Sequence, residues 1–587
     1  MKRLIFAIVA LCICISVNRA SAQSFTVGNL TTTNEVLSNR SMAQGTLLNR
    51  DVMGVADMGI FSQSAFQYGT ARSMAMAGAM TSLGGDASSM MINPAGLGMY
   101  RSGEISFTPM VTIQSSDTKG GSSYLNDGAN TFALSNFSIV FNLYESGNSR
   151  LISLNMGLGY NKISDLNYEY SFRSMGNSSS IANLFSRQLT NENVALDEVY
   201  GEDYPNWNSM PTNLWGAVLG YKSGLTFQSY GSTPSGYNSS DQITPTTSGN
   251  PIWRSSWISP EASIDQYMAV VSDGSIGEYD ISIGANIDNT LYLGFTLGIQ
   301  TLYQRLDLMY GEEYIDNNLG SESALQYSKY NQTIITDGSG VNMKFGATYR
   351  PTEDFRVGIA YHTPTWYSLD REYQASMGSY SITSGQGDYI VVDSPLLSDY
   401  GENRWKFNSP SRLLIGGSYT LYNRALISVD YQRDWYGSIK SRSLPTGVSE
   451  ELYSGISDIY QSVNTLRVGG EYKLTPSVAL RGGYGFSSSM VRDDVDQTEL
   501  LGSPTTNSIK YYAFGIGYTP NNGVSLALTY MNQATEYSSY TLFYGVGDIE
   551  VDSEYDSQIP SAESAQSGTF LTTLKQNNIV FSLTLKM

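Results

Sequence analysis

The stretch Tyr349-Arg-Pro-Thr-Glu-Asp-Phe-Arg-Val-Gly-Ile-Ala-Tyr361 decides the fold, because it places a short polar turn between two alternating runs. On both sides of the turn, apolar residues alternate with small or polar ones, and successive side chains of a β-strand point to opposite faces. Three further tyrosine pairs share the same spacing of 12 residues: Tyr419/Tyr431, Tyr472/Tyr484 and Tyr518/Tyr530. The pattern predicts repeated β-hairpins with one apolar, aromatic face.

Alternating segments recur along most of the chain, and counting them predicts 14 strands. The strands are joined in turn by tight turns and by long loops, of which 164–275 is the longest. An even strand number, with short turns at one end and long extracellular loops at the other, is typical of bacterial outer-membrane barrels. We therefore predict an all-β transmembrane fold: a 14-stranded antiparallel β-barrel over 103–587, with both chain ends in the periplasm.

Strand parity assigns each side chain to the lipid or to the lumen. In 341–349, the odd positions are apolar and are predicted to face lipid, whereas the even positions face the lumen. Within each tyrosine pair, the first tyrosine is expected opposite the residue six positions further on. The second tyrosine is then expected about 20 Å beyond it on the return strand, so that each pair marks the two rims of the apolar band.

The N-terminus has the features of a secretory signal peptide. Met1-Lys2-Arg3 precedes an apolar run to Val17, and Ala20-Ser21-Ala22 is a cleavage site of the usual type. We predict a signal peptide over 1–22, cleaved after Ala22, which would also remove both cysteines, Cys12 and Cys14. The remaining chain has no apolar run long enough for a helical span, and the predicted location is the outer membrane of a Gram-negative cell.

Composition and charge narrow the possible functions. Charged residues make up 15% of the chain, against about 25% in typical soluble domains. The formal net charge of -19 argues against nucleic acid as a partner, because phosphate neutralisation needs basic patches. His362 is the only histidine, which excludes zinc sites and histidine triads within this chain and favours a structural role for that residue. We expect no catalytic residue, no metal and no cofactor, and hence no enzyme.

Parity places five basic side chains in the lumen: Lys344, Arg356, Arg412, Arg467 and Arg481. One interpretation is a charge network along the barrel wall. The other is that one or two of them anchor a fatty-acid carboxylate, since a guanidinium offers two parallel hydrogen bonds. Lys344 and Arg481, which lie in mid-strand, are the favoured anchors.

Many lumen positions are glycines, and glycine inside a strand weakens it unless something approaches closely. They indicate either barrel curvature or room for a plug and a ligand. The notable positions are Gly157, Gly159, Gly284, Gly294, Gly298, Gly346, Gly358, Gly416, Gly469, Gly483, Gly515 and Gly517.

Residues 23–102 precede the first strand and lack its alternation. They contain Gly69-Thr-Ala-Arg72, then Gly84-Gly85-Asp86 before a short helix, and then Asn93-Pro94-Ala95. A globular segment before a glycine-lined barrel most simply fits inside it. These motifs resemble the hatch of the FadL-like outer-membrane transporters for long-chain fatty acids and aromatic hydrocarbons, with most similarity to members from Bacteroidetes-type bacteria.

The resemblance covers about 60–587 and implies a 14-stranded barrel plugged by an N-terminal hatch. It implies uptake of hydrophobic compounds, such as long-chain fatty acids or aromatic hydrocarbons, by passive, hatch-gated diffusion. It also implies lateral release near the third strand, Leu151 to Ile163, where inward-facing Gly157 and Gly159 would permit a kink. The expected partners are hydrophobic small molecules and outer-membrane lipids, and the expected state is a monomer.

Two other functions remain open on the sequence. FadL-like relatives include accessory barrels of protein-secretion or surface-attachment systems, so the hatch motifs do not exclude a role without transport. The long aromatic loops, above all 164–275, are also compatible with an adhesin.

Overall fold

A computed structural model describes the barrel and most of its lumen. The described residues are 53–63, 68–120, 123–147, 149–177, 180–200, 207, 210–211, 214–229, 252–255, 263–315, 317, 324–383, 386–398, 404–444, 455–492, 506–520, 523–537, 540–541 and 569–587. The predicted signal peptide, with its cleavage position, lies outside them.

Short helices precede the barrel and fill its longest loop. The described helices are α1 Val55–Phe61, α2 Ala71–Ala75, α3 Ser89–Ile92, a 3₁₀ helix Pro94–Met99, α4 Ile181–Asn191, α5 Leu196–Val199, α6 Trp215–Lys222, a 3₁₀ helix Tyr436–Ser438 and α7 Ile456–Ile459. No helix among the described residues is long and apolar enough to cross a bilayer.

Strands make up most of the remainder. In chain order they are β1 Glu104–Gly120, β2 Ser123–Glu145, β3 Leu151–Asp165, β4 Tyr168–Asn177, β5 Thr226–Ser229, β6 Ile252–Ser255, β7 Ser263–Ile287, β8 Leu291–Ile315, β9 Ala324–Tyr349, β10 Phe355–His362, β11 Trp366–Thr383, β12 Gln386–Asp393, β13 Leu397–Ser398, β14 Trp405–Asn408, β15 Arg412–Leu421, β16 Ala425–Asp434, β17 Lys440–Ser443, β18 Val463–Lys473, β19 Val478–Ser487, β20 Thr506–Tyr518, β21 Val524–Tyr537, β22 Tyr540–Thr541 and β23 Thr569–Lys586.

The barrel has 14 antiparallel strands and is closed by pairing of β1 with β23, as predicted. Four barrel strands are each built from two segments: β3 with β4, β10 with β11, β14 with β15, and β16 with β17. The tight turns lie at the end where Glu104 pairs with Lys586, so the first and last strands begin and end together there. This is the predicted periplasmic end.

The wall is much taller on one side. β7, β8 and β9 have 25, 25 and 26 residues, or about 80 Å at roughly 3.3 Å per residue, against an apolar band of about 25 Å. Their far ends therefore project beyond the membrane. The inner face of this projection packs on α4, α5, α6 and the β5–β6 hairpin, which together we call the cap.

The lipid and lumen faces agree with the predicted parity. All eight paired tyrosines are exposed on the outer surface, from 39% for Tyr431 to 53% for Tyr349. Along β9, Val341 and Phe345 are exposed, whereas Asn342 and Lys344 are buried on the lumen side. The apolar face of each strand thus meets lipid.

The predicted register was wrong by two residues. Each first tyrosine pairs with the residue eight positions further on, as in Tyr349 with Val357 and Tyr419 with Ile427. The second tyrosine lies only four residues beyond that level, about 13 Å along the strand. A shift of two keeps every side chain on its face, so the parity survives, but a tyrosine pair does not span both rims of the apolar band.

Candidate functional site

The segment before β1 lies inside the barrel, and we call residues 68–100 the hatch. Thirteen of the hatch's hydrophobic side chains contribute to buried clusters shared with the wall or with the hatch itself: Tyr68, Ala71, Met74, Met76, Ala77, Met80, Leu83, Ala87, Met90, Met91, Ile92, Leu97 and Tyr100. The wall approaches the hatch through its glycines. A Cβ on any glycine singled out above, except Gly298 and Gly517, would meet a hatch atom within 3.0 Å. The glycines therefore make room for the plug.

Each residue of Gly69-Thr-Ala-Arg72 ties the hatch to a different place. The Gly69 backbone exchanges two hydrogen bonds with the Ser135 hydroxyl of β2. The Thr70 hydroxyl caps α2 and donates to Asp86, and the Ala71 amide donates to Ser582 of β23 at 2.7 Å. Arg72 reaches β18 on another part of the wall. The motif therefore attaches the hatch to the wall strands β2, β23 and β18 through Gly69, Ala71 and Arg72, and Thr70 stabilises it internally.

Arg72 belongs to an ion-pair triad near the periplasmic end. Its Nε lies 3.1 Å from Glu471, and the same carboxylate oxygen lies 2.7 Å from Nε of Arg481. Glu471 and, more weakly, Asp86 raise the pKa of Arg72 above its already high ordinary value, while burial acts in the opposite direction. The hatch cation therefore keeps its charge and stays attached to β18.

Asn93-Pro94-Ala95 fixes the hatch to β8 and β9. The Asn93 side chain donates to the Thr81 carbonyl at 2.6 Å and to the Thr348 hydroxyl at 3.3 Å, and it accepts from the Ala95 amide at 3.1 Å. Pro94 opens the following 3₁₀ helix, where its missing N–H costs nothing. Gly294 faces the Pro94 carbonyl so closely that a Cβ there would lie 2.1 Å from it.

Above the hatch, buried polar side chains from five neighbouring strands form a continuous hydrogen-bonded chain, which we call the polar belt. Its members are Asn136, Asn161, Glu278, Asp280, Gln300, Asn342 and Lys344. Lys344 contacts Glu278 and lies 2.9 Å from Asp280, so one ammonium faces two carboxylates. A cavity of about 30 Å³, room for one or two waters, lies beside it, and Arg412 and His362 also line this space.

Four of the five predicted carboxylate anchors contact other side chains of the protein. Lys344 belongs to the polar belt, and Arg481 and Arg412 form ion pairs with Glu471 and Asp434. Arg467 donates to Tyr511 and Gln432 at 2.9 and 2.8 Å. Their role as anchors stays a prediction, but the contacts match the charge-network interpretation.

Arg356 differs from the other four. It lies at the periplasmic start of β10, and its guanidinium donates to the Met99 sulfur at 3.7 Å. Among the described residues, no carboxylate is within ion-pair distance of it. His362, which is fully buried, meets the Ile92 carbonyl of the hatch at 3.0 Å and so connects β10 to α3.

Gly157 and Gly159, the predicted gate glycines, lie in an uninterrupted part of the wall. Both are paired on either side, with β2 and with β7, and Met90 of the hatch lies against both. The third barrel strand instead breaks at residues 166–167, between β3 and β4. The kink is therefore several residues beyond the predicted place.

A long opening in the backbone ladder begins just below that break. β2 pairs with β3 only as far as Asn136 opposite Asn161, and residues 123–135 of β2 pair with β1 alone. β4 continues upward paired with β7 and has no ladder with β2. We call the boundary between residues 123–135 and β4 the seam.

The seam is an overlap rather than a gap. Ser116, on the lumen face of β1, donates to the Glu169 carbonyl at 2.6 Å, and Asp127 of β2 accepts from the Ser171 amide and hydroxyl, both at 2.7 Å. The free edge of β4 therefore lies on the lumen side of the β1–β2 hairpin. In the described structure, every hydrogen bond between these two edges involves a side chain, and none joins backbone to backbone. Phe132, on the outer side of this hairpin, is 77% exposed.

Aromatic side chains line the lumen beside the seam. Tyr168, Tyr170 and Phe172 of β4 stack in sequence, with ring centroids 6.0 and 6.5 Å apart, and all three are buried. They continue into the cap core, where Trp215 and Phe185 meet aromatic rings of the wall. A continuous apolar core thus extends from the cap to the seam.

Comparison with known proteins shows a similarity to one family. Residues 274–561 match the model of the outer membrane protein transport protein family (OMPP1/FadL/TodX). Over these residues, just under half of its length, the chain is similar to the FadL/TodX family. Together with the closed barrel, this similarity indicates an outer-membrane protein. No curated protein sequence matches the chain.

Solved structures with a similar fold are distant in sequence. The toluene transporter TodX of Pseudomonas putida is 12% identical, with a TM-score of 0.45 over 89% of this chain and 99% of that one. A Pseudomonas aeruginosa FadL homologue is 12% identical over the same shares, with a TM-score of 0.48. The similarity of this chain to the FadL/TodX family therefore rests on the family model and not on these structures.

The seam residues and, apart from Lys344, the members of the polar belt were not predicted from the sequence. One signal was available: Pro109 lies within β1, and proline cannot donate to a ladder, so it is confined to edges and bulges. The register of β1 and β2 shifts at Thr108/Pro109. The pairing of Asn161 with Asp280, by contrast, joins residues that no local pattern connects.

Proposed function

We propose that this barrel carries uncharged hydrophobic molecules from the cell exterior into the outer membrane by passive lateral diffusion through the seam. The observation that carries the proposal is the absence of a backbone ladder between residues 123–135 and β4, among the described residues of a wall that is otherwise closed. A side-chain overlap separates with far less cost than a ladder of backbone hydrogen bonds. The seam is therefore the weakest part of the wall.

The hatch supports a lateral rather than a vertical route. Its motif residues are hydrogen-bonded to β2, β9, β18, β21 and β23, and the wall glycines hold it at contact distance. A molecule that enters from outside meets this plug below and the stacked rings of β4 at its side. Gating by the hatch is then indirect, through its contacts beside the seam.

The charges of the lumen favour neutral cargo over fatty acids. Lys344, the favoured anchor, already faces the two carboxylates of Glu278 and Asp280, and Arg481 is shared with Glu471. A fatty-acid carboxylate at the polar belt would add a third negative group to one ammonium. A neutral aromatic or aliphatic hydrocarbon pays no such desolvation and repulsion.

Transport of this kind needs no energy source beyond the concentration gradient. Each methylene that leaves water for an apolar surface gains roughly 0.8 kcal/mol, so cargo moves from water to the aromatic lining and then to lipid. We propose that the protein acts as a monomer and that outer-membrane lipids receive the cargo.

A bridge across the seam tests the proposal. In the double variant Asp127→Cys with Ser171→Cys, two side chains that touch across the seam are replaced by thiols. A short bifunctional reagent then joins the two thiols through disulfide bonds, which reductant cleaves. Ile113→Cys with Asn130→Cys is the matched control, since this pair lies within the intact β1–β2 ladder. Uptake of labelled toluene and of labelled palmitate is measured in cells that lack other hydrocarbon channels.

We expect the seam bridge to reduce toluene uptake to the level of cells without the protein, and reductant to restore it, while the control bridge has no effect. Undiminished uptake with a complete bridge would exclude the lateral route. Palmitate uptake as fast as toluene uptake, and lost in Lys344→Ala, would overturn the preference for neutral cargo. If neither probe enters through the unmodified protein, an accessory role without transport takes its place.

A further inference from the structure

The seam begins at Ser135, which has no pairing partner in the ladder between β1 and β2. Thr108 pairs with Asn136 and Pro109 with Leu134, so Ser135 is an extra residue in β2, a β-bulge opposite a proline that has no N–H. Ser135 is fully buried and points into the lumen. Asn136 is the last residue of β2 that pairs with β3. The bulge therefore marks the lower end of the seam.

The hatch holds this bulge by two hydrogen bonds to one backbone unit. The Ser135 hydroxyl accepts from the Gly69 amide at 3.1 Å and donates to the Gly69 carbonyl at 2.7 Å. Gly69 has φ +143°, and a Cβ there would lie 2.4 Å from the Ser88 hydroxyl, so only glycine fits. The contact is thus specific for a glycine backbone at the start of the hatch motif.

The neighbouring residue reaches the other side of the seam. The Tyr68 ring lies below the ammonium of Lys162, with 5.7 Å from Nζ to the ring centroid. Lys162 is paired with Asp165 at 2.8 Å, and both side chains are almost fully buried. Asp165 ends β3 and accepts from the Asn167 amide at 3.1 Å, so it also shapes the kink before β4. Tyr68 therefore contacts the kinked side and Gly69 the bulged side.

We infer that Tyr68-Gly69 is a brace that sets the width of the seam, with Ser135 and Lys162 as its positioning residues on the two edges. The inference rests on the proposed lateral route for its role in transport, but not for its effect on the wall. The hatch thereby controls exit from the barrel without leaving the lumen. Loss of the brace frees the upper part of β2 from the plug, and the two edges of the seam then separate more often.

The chain offers a matched control for this contact. Thr529 of β21 is also a buried wall hydroxyl that binds the hatch backbone, since it donates to the Ala71 carbonyl at 2.6 Å, but it is paired on both sides, with β20 and with β23, and does not border the seam. Ser135→Ala and Thr529→Val each remove one hydroxyl that ties the hatch to the wall. Ser135→Thr keeps the hydroxyl at the bulge.

The experiment measures backbone amide exchange of the full-length protein in lipid. In Ser135→Ala we expect exchange in residues 168–177 to rise about fivefold or more, the factor that corresponds to one lost hydrogen bond. Thr529→Val should leave exchange in that region unchanged, and Ser135→Thr should restore its protection. Tyr68→Leu, which removes the ring below Lys162, should act on the same segment.

Equal exchange at the seam in Ser135→Ala and Thr529→Val would overturn the brace and leave Ser135 as an ordinary hatch contact. Because exchange is read without any cargo, this outcome is independent of the proposed function. Toluene uptake then tests the brace and the lateral route separately. A rise in seam exchange with no change in uptake supports the brace and contradicts the lateral route. If Ser135→Ala fails to assemble, Ser135→Thr and Tyr68→Leu still decide the question.

Discussion

A methyl group on the wall glycine Gly294 should detach the Asn93-Pro94-Ala95 segment from the barrel. In Gly294→Ala the new Cβ would lie 2.1 Å from the Pro94 carbonyl carbon, 2.3 Å from its oxygen and 2.4 Å from the Ala95 nitrogen. These are backbone atoms, so no side chain can rotate away. Ordinary contact between such atoms is roughly 3.5 Å, and the segment must therefore move by more than about 1 Å.

The cost can be bounded. Overpacking of a well-packed interior costs typically about 1 to 3 kcal/mol, and we expect the upper half of that range, because Asn93 resists the movement through its bonds to Thr81 and Thr348. Gly417→Ala is the matched control, since Gly417 faces lipid and a Cβ there meets no atom within 4 Å. Its expected effect is close to zero or slightly stabilising, by less than about 1 kcal/mol.

The assay is amide exchange over the 3₁₀ helix Pro94–Met99 in protein whose barrel is shown to be folded by its resistance to detergent at room temperature. The amides of that helix should exchange about 30 to 150 times faster in Gly294→Ala, the factor that corresponds to roughly 2 to 3 kcal/mol. Protection equal to that of Gly417→Ala would refute the argument that the lumen glycines exist to admit the hatch.

Two further predictions concern buried carboxylates and their partners. Glu312 of β8 is fully buried and accepts from Ser180 and from the Ile181 amide at the start of α4, so Glu312→Gln should loosen the cap by about 1 to 3 kcal/mol, and limited proteolysis within the cap measures this. Cleavage at the rate of the unmodified protein would show that the cap is held by its apolar core alone. Lys344→Ala leaves the two carboxylates of the polar belt without their ammonium and should lower barrel stability by roughly 3 to 5 kcal/mol in urea unfolding, whereas Lys344→Ala combined with Glu278→Gln and Asp280→Asn should recover much of this. Unchanged stability of the single variant would contradict the buried charge network.

The register error shows what alternation can and cannot predict. A shift of one residue would turn every lipid-facing side chain into the lumen, so the pattern excludes it. A shift of two leaves all faces unchanged and is invisible to the pattern. The turn decides between the two registers: Leu421 pairs with Ala425, so the three-residue loop is centred one residue further along the chain than predicted.

The limit of local patterns also distinguishes the two kinds of predicted site residue, the hatch motif and the lumen bases. Asn93, Pro94 and Ala95 are adjacent in the chain, and their contacts within the hatch are local, so a short motif was enough to find them. Lys344 is found by parity, but its partner Glu278 lies 66 residues away on another strand. Parity predicts that a base faces the lumen and says nothing of which acid lies beside it.

The sequence by itself determined the strand number, the lipid and lumen faces and the presence of a plug, because side-chain alternation and short motifs are local properties of the chain. Only the tertiary structure decided where the wall is weakest. The seam depends on Pro109 meeting a bulge in β2, on a break of the third strand at residues 166–167, and on Gly69 binding Ser135 across 66 residues. These are contacts between distant segments, and they form only when the closed barrel brings the hatch against its inner wall.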